Sequence, residues 1–279
     1  MTDRVATNHE VVTTRGGTLA MRSLDVGEVM HPGVGPLVEA EQLYVRQSRL
    51  AERLTERLAR PLVVFDVGLG AGSNALGARA TSERAPTGAA RLQLVSFERD
   101  LGALALALDH GPAFGLDGEP AVAARALFDG GRHETARTLW RLERGDILET
   151  LAHQQDTPAD IIFWDPFSPR ANPGLWTIAA FTAARRAAGP RCTLYTYSAS
   201  TTTRVALLLA GWAVGVGDGI GDKAATTAAA VVTTDLARPL DQRWLERLSR
   251  SDAPLPPDAP TNAAARAAAA PQFVASPSP

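Results

Sequence analysis

From residue 61 to residue 210, short apolar runs of strand length alternate with segments of helical period, and this alternation constrains the fold more than any other feature. Strands are predicted at 61–67, 92–97, 137–144, 159–164 and 191–198, with helices from Ser73, from Asp100, near 119–128, and at 147–153, 177–188 and 201–210. Strands that alternate with helices imply a parallel sheet covered on both faces. A β pair near 212–217 and 226–233 adds an antiparallel edge, giving an α/β fold with a mostly parallel seven-stranded sheet. Ahead of it, His9 to Leu24 alternates polar and apolar residues around Arg15-Gly16-Gly17, the pattern of a small N-terminal β-hairpin. A linker from Gly27 to Pro36 leads into a helix expected over Val38 to Arg60. Leu43, Leu50, Leu54 and Leu58 fall at core spacing on that helix, while Arg46, Arg49, Arg53, Arg57 and Arg60 gather on a neighbouring face. The expected division is hairpin and linker over 1–36, the main domain over 37–250, and a disordered Pro/Ala-rich tail over 251–279.

An apolar content of 45% over 279 residues suffices for a substantial core. The single cysteine, Cys192, cannot form an internal disulfide, and Met1-Thr2-Asp3-Arg4 lacks the basic-then-apolar order of a signal peptide. No run approaches a membrane span, so a cytoplasmic location is expected. The five histidines and one cysteine show no ligand spacing, so no metal is expected. The net charge is -2 and Lys223 is the only lysine. Binding to a nucleic acid normally leaves an excess of positive charge. The arginine stripe is the best local candidate, but Glu52 and Glu56 interleave with it, and a solvated helix face explains it equally.

The strand Val63 to Val67 runs into Gly68-x-Gly70-x-Gly72, a turn in which glycine lets backbone come close to a ligand. A dinucleotide fingerprint would place its third glycine at position 73, where Ser73 stands. The segment resembles the cofactor turn of S-adenosylmethionine-dependent methyltransferases, which have a Rossmann-like fold. Glu98 ends the next strand, where a carboxylate can accept both hydroxyl hydrogens of an adenosyl ribose. Asp146 follows the third sheet strand and either receives the adenine amino group or caps helix 147–153. Asp66 either orients the methionine ammonium or makes a structural hydrogen bond to the loop.

After the apolar run 159–164 comes Asp165-Pro166-Phe167-Ser168-Pro169, then Asn172-Pro173-x-Leu175-Trp176-Thr177. This stretch is similar to the Asp-Gly-Phe-(Ala/Ser)-Pro…Asn-Pro-x-(Leu/Met)-Trp motif of MnmC-type methyltransferases. Gly72-Ser73-Asn74, Ser96-Phe97-Glu98 and Gly219-Ile220-Gly221-Asp222-Lys223 resemble further motifs of the family, as do His31 and Gly35 to Glu39 leading to Tyr44-Val45. The resemblance covers roughly residues 17–233. It implies a class I methyltransferase fold, S-adenosylmethionine as cofactor, and methylation of an aminomethyl nitrogen on a modified wobble uridine of tRNA. Fused members carry a flavin-dependent oxidase half that has no counterpart here, so a separate oxidoreductase would supply the aminomethyl precursor. Pro166 departs from the family's glycine and stiffens the loop.

The implied catalytic residues are Asp165 and Phe167. The implied cofactor contacts are Asp66, Gly68, Gly70, Gly72, Asn74, Glu98 and Asp146; the implied substrate contacts are His31, Glu39, Tyr44, Pro166, Trp176 and Lys223. Phe167 and Trp176 either wall a pocket or pack in the core, with Trp176 anchoring the next helix, and Asn172 is a candidate N-cap before Pro173. His31 is a substrate contact or merely structural, and Lys223 faces a phosphate, a cofactor carboxylate or only solvent. Methyl transfer from a sulfonium relies chiefly on alignment. An alkyl amine with a pKa of about 10.4 must lose a proton first, at a cost of about 4–5 kcal/mol at pH 7. Burial can lower an amine pKa by roughly 3–5 units and so offset that cost. Asp165 would then steer the lone pair or take the proton. A methyltransferase of a small amine and a non-catalytic Rossmann module are the alternatives.

Overall fold

A computed structural model describes residues 7–274 apart from 15, 31–33, 57–59, 155 and 222. The hairpin is present as β1 (His9–Thr13) and β2 (Leu19–Ser23), antiparallel, with Met21 buried beneath it. Residues 28–30 return beside β2, where Met30 N donates to the Met21 carbonyl at 2.7 Å.

The helix expected over 38–60 is broken into pieces. A short α1 (Pro36–Glu39) runs into a π-helix over Ala40–Arg46; Arg49 then takes a left-handed φ of 54°, and α2 (Leu50–Thr55) restarts the chain in a new direction. The leucine spacing survives the break because Leu43, Leu50 and Leu54 all reach the same core, which is why periodicity concealed it.

The main sheet follows with β3 (Leu62–Val67), α3 (Ser73–Glu83), β4 (Leu92–Glu98), α4 (Gly102–His110), α5 (Glu119–Gly130), β5 (Arg132–Glu134), β6 (Thr138–Arg144), α6 (Ile147–Ala152), β7 (Ala159–Trp164), α7 (Ile178–Arg186), β8 (Ala188–Thr196), α8 (Thr201–Leu209), β9 (Ala213–Gly217) and β10 (Thr226–Ala230). The order is β5-β6-β4-β3-β7-β8-β10-β9, eight strands rather than seven. The added strand, β5, is three residues long and pairs antiparallel with β6; Arg-His-Glu carries no apolar alternation to betray it. Strands β3, β4, β6, β7 and β8 are parallel, and β10 lies antiparallel between β8 and β9. All six residues of β3 and of β7 are buried, as two-sided cover by helices requires. From β3 the chain winds outward through β4 and β6, then returns to place β7 on the other side. Such a reversal opens a crevice at the strands' carboxyl ends.

Residues 251–274, expected as part of a disordered tail, instead pack on the domain; 275–279 lie outside the described residues. The side chain of Asp258 accepts from the first two amides of α7 at 2.9 Å each, and α10 (Ala263–Ala268), which follows α9 (Gln242–Leu248), buries Ala263 and Ala267. Gln272 bonds the amide and carbonyl of Val214 on edge strand β9, and Phe273 stacks on Trp244 at 6.3 Å. Composition suggested too little apolar surface for order, but an alanine face needs only an apolar surface to lie on. Among the described residues, no helix is long and apolar enough to cross a membrane.

Candidate active site

The crevice between β3 and β7 holds the glycine turn and the Asp-Pro loop in direct contact. Asp165 N donates to the Val67 carbonyl at 2.9 Å, extending the β3–β7 pairing by one residue. Gly68, at φ 90°, lies so close that an added Cβ would stand 2.8 Å from the Asp165 carbonyl oxygen. Gly70 and Gly72 also take positive φ, and Gly72 forms the N-cap of α3. A cavity of about 460 Å³ opens there, lined by Gly68, Gly70, Ser73, Asn74, Glu98, Ile147, Asp165, Pro166 and Phe167. Glu28, Met30, Glu39, Tyr197 and Lys223 also line it.

Two of the expected ligand contacts, Tyr44 and Asn74, hold Asp165. Tyr44 Oη donates to Asp165 Oδ1 and Asn74 Nδ2 donates to Asp165 Oδ2, each at 2.7 Å. Tyr44 is wholly buried, packs on Phe163 with ring centroids 5.4 Å apart, and does not line the cavity. Burial and the neighbouring Asp165 carboxylate push the Tyr44 hydroxyl pKa well above its ordinary value, so it stays a donor.

Glu98 accepts from Gly70 N at 3.1 Å through Oε2, and from Arg99 N and Asp100 N at 2.8 and 3.1 Å through Oε1. Those three bonds leave about one of a carboxylate's roughly four lone-pair positions for a ligand. Burial raises the Glu98 pKa, against the opposing effect of the three amides.

Asp66 is buried beneath the turn and is not part of the cavity wall. Ser96 Oγ donates to its Oδ2 at 2.8 Å and in turn accepts from Trp140 Nε1 at 3.0 Å, a structural bond made to the neighbouring strand and not to the loop; its Oδ1 has no partner among the described residues. Burial pushes the Asp66 pKa up to about 8, with Asp165 and Glu98 adding to the shift and the Ser96 bond opposing it.

Asp146 lies exposed outside the cavity and caps α6, accepting from Leu148 N at 2.9 Å. Trp176 likewise leaves the cavity. It is 2% exposed, donates from Nε1 to the Phe167 carbonyl at 2.7 Å, and packs against Phe181 and Tyr197, so its substrate-contact role gives way to anchoring the loop. Asn172 makes no side-chain capping bond; Thr177 caps α7 by accepting from Ala180 N. Pro166 is buried in the wall, and its carbonyl accepts from Tyr197 Oη at 3.1 Å. Glu39 is 6% exposed and lines the cavity. Lys223 Nζ lies 4.9 Å from the centre of the Tyr197 ring. His31 falls outside the described residues.

Glu28 and Tyr197 join the site without having been singled out. Glu28 accepts from both the amide and the hydroxyl of Ser168, tying the strand-like return beside β2 to the loop after Asp165. Tyr197, at the end of β8, has its hydroxyl pKa pushed up by burial and by the carboxylates of Asp165, Glu28 and Glu39. The arginine stripe is partly engaged within the chain, since the exposed Arg60 clasps Asp160 with two bonds of 2.7 Å and Arg53 donates to Thr193 at 3.0 Å. Arg57 lies outside the described residues. Among the described residues no cluster of His, Cys, Asp and Glu could hold a metal.

A family described as S-adenosyl-L-methionine-dependent methyltransferase matches residues 131–231. The tRNA 5-methylaminomethyl-2-thiouridine biosynthesis bifunctional protein MnmC of Aeromonas hydrophila is 30% identical over 216 residues, covering 72% of this chain and 32% of that protein. The protein of the same name from Paraburkholderia xenovorans is 32% identical over 248 residues, covering 82% and 34% respectively. The chain thus spans about a third of the length of the curated relatives it matches. The crystal structure of MNMC2 from Aquifex aeolicus superposes with a TM-score of 0.69 at 24% identity, over 88% of this chain and 77% of that one, a likeness of fold.

Proposed function

We propose a function from this premise: the chain belongs to the S-adenosyl-L-methionine-dependent methyltransferase family that includes the MnmC proteins, and it uses that cofactor. On our reading it methylates the nitrogen of an aminomethyl group on a modified wobble uridine of tRNA. The observation that carries this reading is the contact of Gly68 with Asp165, which brings the cofactor turn and the acceptor-facing carboxylate into one crevice.

The residues present suit the cofactor. The turn offers close backbone, Glu98 retains capacity for a ribose hydroxyl, and two buried polar atoms beside the turn, Ser73 Oγ and Asn74 Oδ1, have no partner among the described residues. When bound, the cofactor supplies an electrophilic methyl on a sulfonium. Glu28, Glu39 and Asp165 give the acceptor side of the cavity a negative lining that attracts an ammonium. Phe167, Pro166 and Met30 exclude water from it, which favours the neutral amine. Asp165 orients the amine by accepting one N–H hydrogen. An amine held so would present its lone pair to the methyl that the bound cofactor would supply, and the proton left on the methylated nitrogen would pass to solvent. Lys223 is placed for an anionic group, a cofactor carboxylate or a phosphate.

One observation favours a second reading, a small amine unattached to tRNA: Arg53 is turned to Thr193 and the charge of Arg60 is paired with Asp160, which thins the basic surface a polyanion would need. Calorimetry with S-adenosylmethionine, followed by methyl incorporation into tRNA lacking the modification or into a small-molecule extract, tests both. Absence of cofactor binding would remove both readings, and labelled extract with unlabelled tRNA would select the second.

A further inference from the structure

We propose that Tyr44 and Asn74 are positioning residues that clamp the Asp165 carboxylate, so that Asp165 works as a fixed anionic acceptor of the amine's hydrogen and not as the base that removes its proton. This rests on the methyltransferase reading above.

The two donors come from separate elements and reach opposite oxygens, each at 2.7 Å. Distances this short mark charge-assisted bonds to an ionised group. Either bond alone would leave the carboxylate free to swing about its second side-chain torsion; together they set its plane. Neither donor can change protonation near neutral pH: an amide does not titrate, and the Tyr44 hydroxyl is held protonated by burial and by Asp165 itself. The clamp therefore persists throughout the reaction.

The backbone has been shaped to deliver Tyr44. It lies in the π-helix over Ala40–Arg46, a wide turn that is rare in proteins and frequent at functional sites. Its ring is seated on Phe163, two residues before Asp165. Asn74 stands at the start of α3, immediately after the glycine turn, and also lines the cavity, so one side chain touches both the acceptor-side carboxylate and the cofactor wall.

The test compares sinefungin, which carries an amine where the sulfonium carries its methyl, with S-adenosylhomocysteine, which carries nothing there. Calorimetry on the full chain reads the affinity ratio, so any general loss of cofactor binding cancels. The wild type should prefer sinefungin, and Asp165→Asn should abolish the preference. Tyr44→Phe retains the ring and its packing and should cut the preference by about five- to tenfold, less than the loss of a direct charge-assisted bond because Asp165 keeps its charge and its bond from Asn74. Asn74→Ala should act similarly on the ratio. On the Asp165→Asn background each change should cost less than about twofold, because a residue that acts through Asp165 has nothing left to position. A wild type without preference, an unchanged ratio in Tyr44→Phe, or undiminished losses on that background would overturn the inference. Failure of the wild type to bind S-adenosylhomocysteine would instead defeat the methyltransferase reading, and this inference with it.

Discussion

Gly68 and Asp165 are mutually constrained: an added Cβ at Gly68 would lie 2.8 Å from the Asp165 carbonyl oxygen and 3.1 Å from the Pro166 Cα. The obstacle is backbone on both counts, and φ 90° disfavours any side chain. Gly68→Ala should therefore lower stability by about 1–3 kcal/mol and weaken cofactor binding and methyl transfer together. Denaturant melts and calorimetry on the one variant check this; a loss of transfer with cofactor affinity untouched would contradict it.

Asp165→Asn keeps the size of the side chain but removes the charge that orients the amine and replaces one of the two clamp acceptors with an NH2. Methyl transfer should fall by about 10²–10³ at saturating cofactor, a share of what alignment contributes. S-adenosylhomocysteine affinity should stay within about twofold, because the new amide lies on the acceptor side. Single-turnover rates beside calorimetry separate the two quantities.

Glu98 and Asp146 were both read as cofactor contacts, and substitution should part them. Glu98→Ala should weaken cofactor binding by about ten- to a hundredfold, the cost of a lost bond to a charged group. Asp146→Ala removes the α6 cap, accepting from Leu148 N, and should cost about 1 kcal/mol of stability without altering affinity. Equal affinity losses in the two variants would restore Asp146 to the cofactor site.

The buried Asp66 makes stability depend on pH. Its folded pKa is pushed up to about 8 from an ordinary carboxylate value, so between about pH 4 and 8 the folded chain keeps a proton that the unfolded chain has released. That contribution is present in full at acid pH and is lost as pH rises through about 8, with a slope of up to about 1.4 kcal/mol per pH unit. Asp66→Asn, which can still accept from Ser96, should flatten that part of the profile. Denaturant melts at intervals from pH 5 to 9 measure the slope, and an unchanged profile would refute the assignment.

The docked C-terminal segment should be felt in stability alone. Phe273 stacks on Trp244 and Gln272 bonds the edge strand at Val214. Phe273→Ala should cost about 3 kcal/mol. Cofactor affinity should not change, since neither residue lines the cavity.

The parallel strands were legible because a strand covered on both faces reads as an apolar run, and Leu62 to Phe65 and Ile161 to Trp164 do so. The glycine turn, Glu98 and Asp165 were legible because each stands at a strand's carboxyl end. What escaped depends on distant partners. Tyr44 lies 121 residues from the carboxylate it holds and Asn74 lies 91 away, so their motifs flagged importance without revealing role. Glu28 reaches Ser168 across 140 residues and stood in a stretch taken for linker. The alanines at 263 and 267 are too small to announce a buried face, yet they lie flat on the domain.

The wide turn at 40–46 carries a consequence for the chain's tolerance of length changes. Deleting a single residue there would let the segment relax into an ordinary α-helix, and every side chain beyond the deletion would rotate by about 100° around the axis. A deletion ahead of position 44 would carry the phenol away from its carboxylate and turn the leucines at 43, 50 and 54 out of their seats in the core. Such a protein would melt earlier as well as lose its aim, a defect of register invisible to any survey of composition.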